Sequence, residues 1–199
     1  TREEAIKSFG LNPNKKTILV IGGSLGARTL NNCMIEGIEK IKESNVQFIW
    51  QTGKIYFDEA KKAVESFGEL PMIYVTDFIS DMTKAYAAAD RVISRAGAGS
   101  ISEFCILKKP VVLVPSPNVA EDHQTKNALA LVTKEAALYI KDAAASEGLI
   151  SKAIDSVKND ELLKKLSMNI EKLAFTDSAN VIADEVCKLA EKYRNEHGC

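Results

Sequence analysis

Short apolar runs rich in β-branched residues, at 17–21, 46–51, 72–75, 91–94, 110–114 and 138–140, alternate with helix-like stretches at 26–43, 56–67, 82–89, 100–107 and 124–133. One strand and one helix recur about every 25 residues, a βα rhythm rather than that of a helical bundle or an all-β fold. The runs are continuous instead of alternating, as strands covered on both faces require, so the expected sheet is parallel. Right-handed crossovers then give an α/β class fold, a Rossmann-like doubly wound sheet. Three further helices, at 147–157, 161–175 and 178–193, follow with no strand between them, and Asp160 and Asp177 stand where caps fall. No low-complexity segment, repeat or internal linker breaks the pattern, which predicts a single domain over 1–199.

Two of the predicted strands run into glycine-bearing turns, Gly22-Gly23-Ser24-Leu25-Gly26-Ala27-Arg28 and Ser94-Arg95-Ala96-Gly97-Ala98-Gly99-Ser100-Ile101-Ser102-Glu103. A helix that starts directly after a strand leaves its first N–H groups unpaired and turns its positive dipole end outward, so an anion fits there. Glycine lets that anion approach the main chain. In an open parallel sheet both turns lie at the carboxyl rim, where a single ligand can meet them; the plainer reading is a pair of tight βα turns. Glu103 stands one helical turn past Gly99 and Ser100, where a carboxylate accepts from two adjacent hydroxyls, as on a ribose, or simply complements the helix dipole. An acidic residue at the end of the next strand, as NAD sites use, is not the arrangement here.

Two further segments offer polar groups at the same rim. After the fifth strand, Pro115 and Pro117 fix an extended entry, and Asp122, His123, Gln124 and Asn127 supply donors and acceptors suited to sugar hydroxyls. The alternative is Asp122 or its neighbour as a helix cap with His123 merely exposed. After the third strand, Phe78 can lie against a flat base while the Ile79 main chain bonds its edge; Asp81 also reads as an N-cap.

Charge and composition exclude several classes. Lys and Arg number 26 against 27 Asp and Glu, a net charge of -1, which lacks the positive field of a nucleic-acid binder. The apolar runs are far shorter than a membrane span and no signal-peptide pattern opens the chain, which predicts a soluble, intracellular protein. Cys33, Cys105, Cys187 and Cys199 form no C-x-x-C pair, so neither zinc nor a disulfide framework is expected and the thiols read as buried or incidental. No Asp, Glu or His cluster has metal-ligand spacing, and no cofactor is predicted. The opening residue is Thr1 rather than Met, and the chain reads as a piece of a longer protein.

The ordered set GGSLGAR, FISDM, SRAGAGSISE and EDHQTKNA, spread over 18–190, resembles the carboxyl-terminal domain of the MurG family, the bacterial peptidoglycan glycosyltransferases that convert lipid I to lipid II. These enzymes transfer N-acetylglucosamine from UDP-N-acetylglucosamine to undecaprenyl-pyrophosphoryl-N-acetylmuramyl-pentapeptide. The resemblance implies one half of a GT-B glycosyltransferase, the half that holds the donor. It assigns Ser24 and the main chain of Ala98, Gly99, Ser100, Ile101 and Ser102 to the diphosphate region. Ile79 falls to uracil with Phe78 beside it, Glu103 to the ribose hydroxyls, and Gln124 with His123 to the sugar. Relatives often carry a second Gln or an Arg near His123, which this chain lacks. Arg2 takes the place of an arginine that helps bind uracil in relatives.

By the same resemblance the catalytic His, the lipid-facing surface and the site for lipid I belong to an amino-terminal half without counterpart here. No catalytic residue is therefore expected in these residues, and the chain alone should bind donor without turnover. The intact enzyme would invert the anomeric carbon, without a metal, at the cytoplasmic face of the membrane. Membrane contact is expected only through the full-length enzyme, because no basic amphipathic anchor is visible. The competing expectations are a UDP-N-acetylglucosamine 2-epimerase-like enzyme of the same architecture, a noncatalytic module that senses nucleotide sugars, and a flavodoxin-like domain whose turns bind nothing.

Overall fold

In the computed structural model, which describes residues 1–197, the apolar runs become β1 (Thr17–Ile21), β2 (Gln47–Gln51), β3 (Ile73–Thr76), β4 (Arg91–Ser94), β5 (Val111–Leu113) and β6 (Leu138–Tyr139). The expectation for Cys199 lies outside the described residues. All five strand pairings are parallel, in the order β3-β2-β1-β4-β5-β6. The order reverses between β1 and β4, where Ile21 pairs with Ser94, and a doubly wound sheet opens its ligand crevice at that reversal.

The helices are α1 (Arg2–Ser8), α2 (Arg28–Glu36), α3 (Ile38–Glu43), α4 (Phe57–Ser66), α5 (Met82–Ala88), α6 (Ala98–Ile106), α7 (His123–Val132), α8 (Ala145–Lys158), α9 (Asp160–Glu171) and α10 (Ser178–His197). Successive strand residues point to opposite faces, and both faces are covered. Val20, Trp50 and Ile93 pack under Leu30 and Met34 of α2 and Leu149 and Ala153 of α8. Leu19, Ile49 and Val92 pack under Ile6 of α1, Tyr86 of α5 and Phe104 of α6. Double coverage is why the strands read as unbroken apolar runs. Along α10, Ile182, Val186, Leu189 and Tyr193 are exposed.

Three expectations need correction. The helix expected over 26–43 is two helices that meet at Gly37, where a side chain would come within 2.7 Å of Ile150 in α8. The polar opening, which drew no helix from the sequence, is α1, with Thr1 and Glu4 in a reciprocal capping box. Asn159, not Asp160, caps α9, accepting from the Leu162 N–H at 2.9 Å.

Arg91 lies fully buried beneath α8, its Nη2 donating to the Ser156 carbonyl at 3.3 Å while Nε and Nη1 have no partner. Burial pulls its pKa down to about 10.

Candidate nucleotide-sugar site

Because β1 and β4 are neighbours, the turns that leave them emerge side by side at the carboxyl rim. Gly22, Gly23 and Gly26 of the first turn and Gly97 and Ser100 of the second line one cavity of about 590 Å³. A second, of about 190 Å³, shares Gly23 and Ser100 with it and is walled by Ser24, Gln51, Phe78, Ile79, Tyr86 and Glu103. Neither α2 nor α6 has a side-chain cap at its start, so first-turn N–H groups remain for an anion.

The first turn is fixed from several sides. A side chain on Gly26, whose φ is +78°, would fall 1.9 Å from the Thr52 carbonyl oxygen. Gln51 Nε2 donates to the carbonyls of Gly23 (3.1 Å) and Asp77 (3.3 Å), joining the turns after β1 and β3. Asn31 Nδ2 donates to the Thr52 carbonyl and its Oδ1 accepts from Trp50 Nε1, each at 2.9 Å, which locks α2 to the end of β2.

In the smaller cavity, the buried Tyr86 hydroxyl donates to Glu103 Oε2 at 2.7 Å. Burial first, and this bond second, push the phenol's pKa up, so Tyr86 stays a donor. Glu103 itself is exposed, and one oxygen is thereby oriented while Oε1 is left to accept from a ligand. Phe78 is 56% exposed and Ile79 is buried in the wall. Asp81 caps α5, accepting from the Lys84 N–H at 3.1 Å.

In the larger cavity, Gln124 Oε1 accepts from the main-chain N–H groups of Ala96 (3.2 Å) and Ser116 (2.9 Å). Two N–H donors on one atom identify it as the carbonyl oxygen, leaving the Nε2 amide as the donor end. Asn127 Nδ2 donates to the Ala96 carbonyl at 3.1 Å, tying α7 to the second turn. Asp122 occupies the N-cap position of α7 in a left-handed conformation (φ 51°) but makes no capping bond, contrary to its reading as a cap.

The remaining residues picked out in the sequence divide. Ser102 Oγ turns back on the Ala98 carbonyl (3.1 Å), and Ile101 packs on the core. Ala98 and Gly99 supply main chain at the start of α6. His123 is exposed and not among the residues lining either cavity. Arg2 is not brought to the site. Its Nη2 and Nε hold Asp90 at 2.7 and 3.2 Å, and the same carboxylate accepts from the Thr17 N–H at 2.8 Å. That cluster lies at the amino ends of β1 and β4, roughly a strand length of ~13 Å from the carboxyl rim.

Among the polar residues of the larger cavity that sequence reasoning did not assign to the site, Thr29, Arg95 and Asp142 form one bonded group. Arg95 donates to the carbonyls of Val114 (3.0 Å) and Pro115 (3.2 Å) and to Asp142, whose other oxygen accepts from Thr29 Oγ1 at 3.0 Å. The available signal was position, since Arg95 directly follows β4 and Asp142 follows β6 by only a few residues. Among the described residues no three His, Cys, Asp or Glu side chains gather as metal ligands.

A doubly wound parallel sheet whose two glycine turns open on one cavity at its switch point is a nucleotide-binding architecture, and the fold is that of the carboxyl-terminal half of a GT-B glycosyltransferase. The glycosyltransferase family 28 C-terminal domain matches residues 17–185, and the chain belongs to that family. It is 74% identical, over 198 residues, to the UDP-N-acetylglucosamine--N-acetylmuramyl-(pentapeptide) pyrophosphoryl-undecaprenol N-acetylglucosamine transferase of Phocaeicola vulgatus, covering 100% of this chain and 53% of the relative. It is 49% identical over 187 residues to the protein of that name from Cytophaga hutchinsonii, covering 94% of this chain and 49% of the relative. The crystal structure of Acinetobacter baumannii MurG superposes with a TM-score of 0.77 at 26% identity, over 94% of this chain and 53% of that one. The chain thus spans about half the length of the relatives it matches.

Proposed function

We propose that this chain is the donor-binding half of the enzyme that transfers N-acetylglucosamine from UDP-N-acetylglucosamine to lipid I. The observation that carries the reading is the pair of joined cavities, with two uncapped helix starts and Arg95 on one side and Glu103 with Phe78 on the other. Diphosphate and sugar suit the larger, ribose and uracil the smaller. Glu103 takes the ribose hydroxyls, the Ile79 main chain the uracil edge, and Gln124 Nε2 the sugar. The start of α6 and, from the smaller cavity beside it, Ser24 take the diphosphate region.

In the transfer, the bond from the anomeric carbon to the diphosphate oxygen breaks and its electron pair stays on that oxygen. The acceptor hydroxyl oxygen bonds the carbon from the opposite side, and its proton passes to a base of the other half. This half contributes positive ends already in place, helix N–H groups and Arg95, for the charge that grows on the departing UDP. Lipid I and the membrane face belong to the other half of the longer protein; among the described residues no helix is long and apolar enough to cross a membrane.

Calorimetric titration of the full-length protein with UDP-N-acetylglucosamine, UDP-glucose and NAD tests the reading. UDP-N-acetylglucosamine should bind tightest, NAD should not bind, and Glu103→Ala should weaken UDP about tenfold, the loss of one charge-assisted bond. Equal affinity for all three ligands, or an unchanged Glu103→Ala variant, overturns it.

A further inference from the structure

A carboxylate stands on the wall of the larger cavity, where it would repel an anionic ligand. The charged side chains there are Arg28, Arg95 and Asp142. Both oxygens of Asp142 are engaged, one by Arg95 Nη1 and the other by Thr29 Oγ1 at 3.0 Å. Nη1 carries two protons and faces three acceptors, the carbonyls of Val114 and Pro115 and the Asp142 carboxylate, so it has nothing left for a ligand. Among the described residues the buried side-chain nitrogens without a partner all belong to Arg91. Arg95 lines the cavity and its Nε and Nη2 are not among those buried nitrogens, so this edge of the guanidinium is the one left for a phosphate.

A tie between Arg95 and Thr29 needs an acceptor at this position but not a charge, because an asparagine amide would bond both. What the carboxylate adds is one negative charge beside that edge of Arg95. We propose that Asp142 is a charge counterweight that weakens the subsite's hold on diphosphate, most of all on the nucleoside diphosphate left after sugar transfer. Once the sugar departs, the outer phosphate loses its ester bond and becomes a terminal phosphate with a second ionisation near pH 6, so it is more negative than in the donor. A fixed anion nearby disfavours that product more than the donor, and hastens its release. The proposal rests on the donor reading above.

The test is Asp142→Asn in the full-length protein, titrated with UDP, uridine and UDP-N-acetylglucosamine at low and moderate salt. UDP should bind about tenfold tighter, the size of one partly screened charge across a short gap. The gain should shrink with salt, be smaller for UDP-N-acetylglucosamine, and be absent for uridine. Asp142→Glu, which keeps the charge, should leave UDP within about twofold of wild type on the same electrostatic argument. If thermal melting shows that Asp142→Asn does not fold, Asp142→Ser, also neutral, should shift UDP in the same direction. Unchanged or weaker UDP binding, or an equal gain for uridine, overturns the proposal. Failure of the wild-type protein to bind UDP would instead remove the donor reading beneath it.

Discussion

At the scale of single residues, Gln124 shows how one side chain holds the site's shape and offers a group to a ligand. Its oxygen closes two main-chain N–H groups from different loops, which leaves its amide nitrogen as the donor at the cavity wall. Substitution separates the two tasks. Gln124→Leu strands both N–H groups and should lower stability by about 2 kcal/mol. Gln124→Glu keeps both acceptor bonds, so its urea midpoint should stay near wild type, while UDP-N-acetylglucosamine affinity falls more than UDP affinity. Equal midpoints for the two variants would show that the bonds do not matter. The residues of the site singled out from sequence lay in marked segments, the glycine turns, the turn after the third strand and the proline-led loop, although Arg95 escaped notice inside one of them. Tyr86 and Asp142 bore no such mark: each is an ordinary residue of an ordinary segment until the fold brings it to Glu103 or Arg95.

At the scale of elements, the glycines of the two turns do different work. At Gly26 the Thr52 carbonyl occupies the place of a side chain and φ is +78°, so Gly26→Ala should cost more than about 3 kcal/mol, through clash and backbone strain together. At Gly97 and Gly99 a side chain would meet no protein atom within 4 Å. Gly99→Ala, inside α6, should leave the melting temperature unchanged or slightly higher, yet weaken UDP binding, because only a ligand contests that space. Differential scanning calorimetry with and without UDP checks both; an equally stable variant that binds normally would show that no ligand approaches α6 there. The strands and most helices were readable because period and burial agree, whereas the break at Gly37 was not. The residue that leaves no room for a side chain at Gly37 is Ile150, more than a hundred residues onward, which no local pattern reports. The first helix was missed for another reason: a short helix held by its capping box and by packing on α5 has too few residues to show a period.

At the scale of the whole molecule, buried ionisable groups set the alkaline limit of stability. Burial first, and the nearby carboxylates of Glu36 and Asp142 next, push the Cys33 thiol from 9.0 up to about 11. The folded state keeps this proton longer than the unfolded chain, so the contribution is intact below pH 9 and is lost as pH rises from 9 toward 11. Arg91 acts oppositely, since a cation depressed to about 10 destabilises the fold less once its proton leaves. Comparing wild type with Cys33→Val isolates the thiol: the difference in unfolding free energy should shift against wild type by about 2 kcal/mol between pH 8.5 and 11. A flat difference in urea titrations would refute that. The sheet order, 3-2-1-4-5-6, has its own consequence for how the protein is made. The larger cavity takes its lining from Gly22 through Asp142, so a ribosome that has released only the first two-thirds of this chain has made most of the sheet and an incomplete cavity. The groups assigned to nucleotide all lie before the last crossover, so a truncated product that stops after α7 keeps them and, of the cavity lining, lacks only the counter-charge of Asp142.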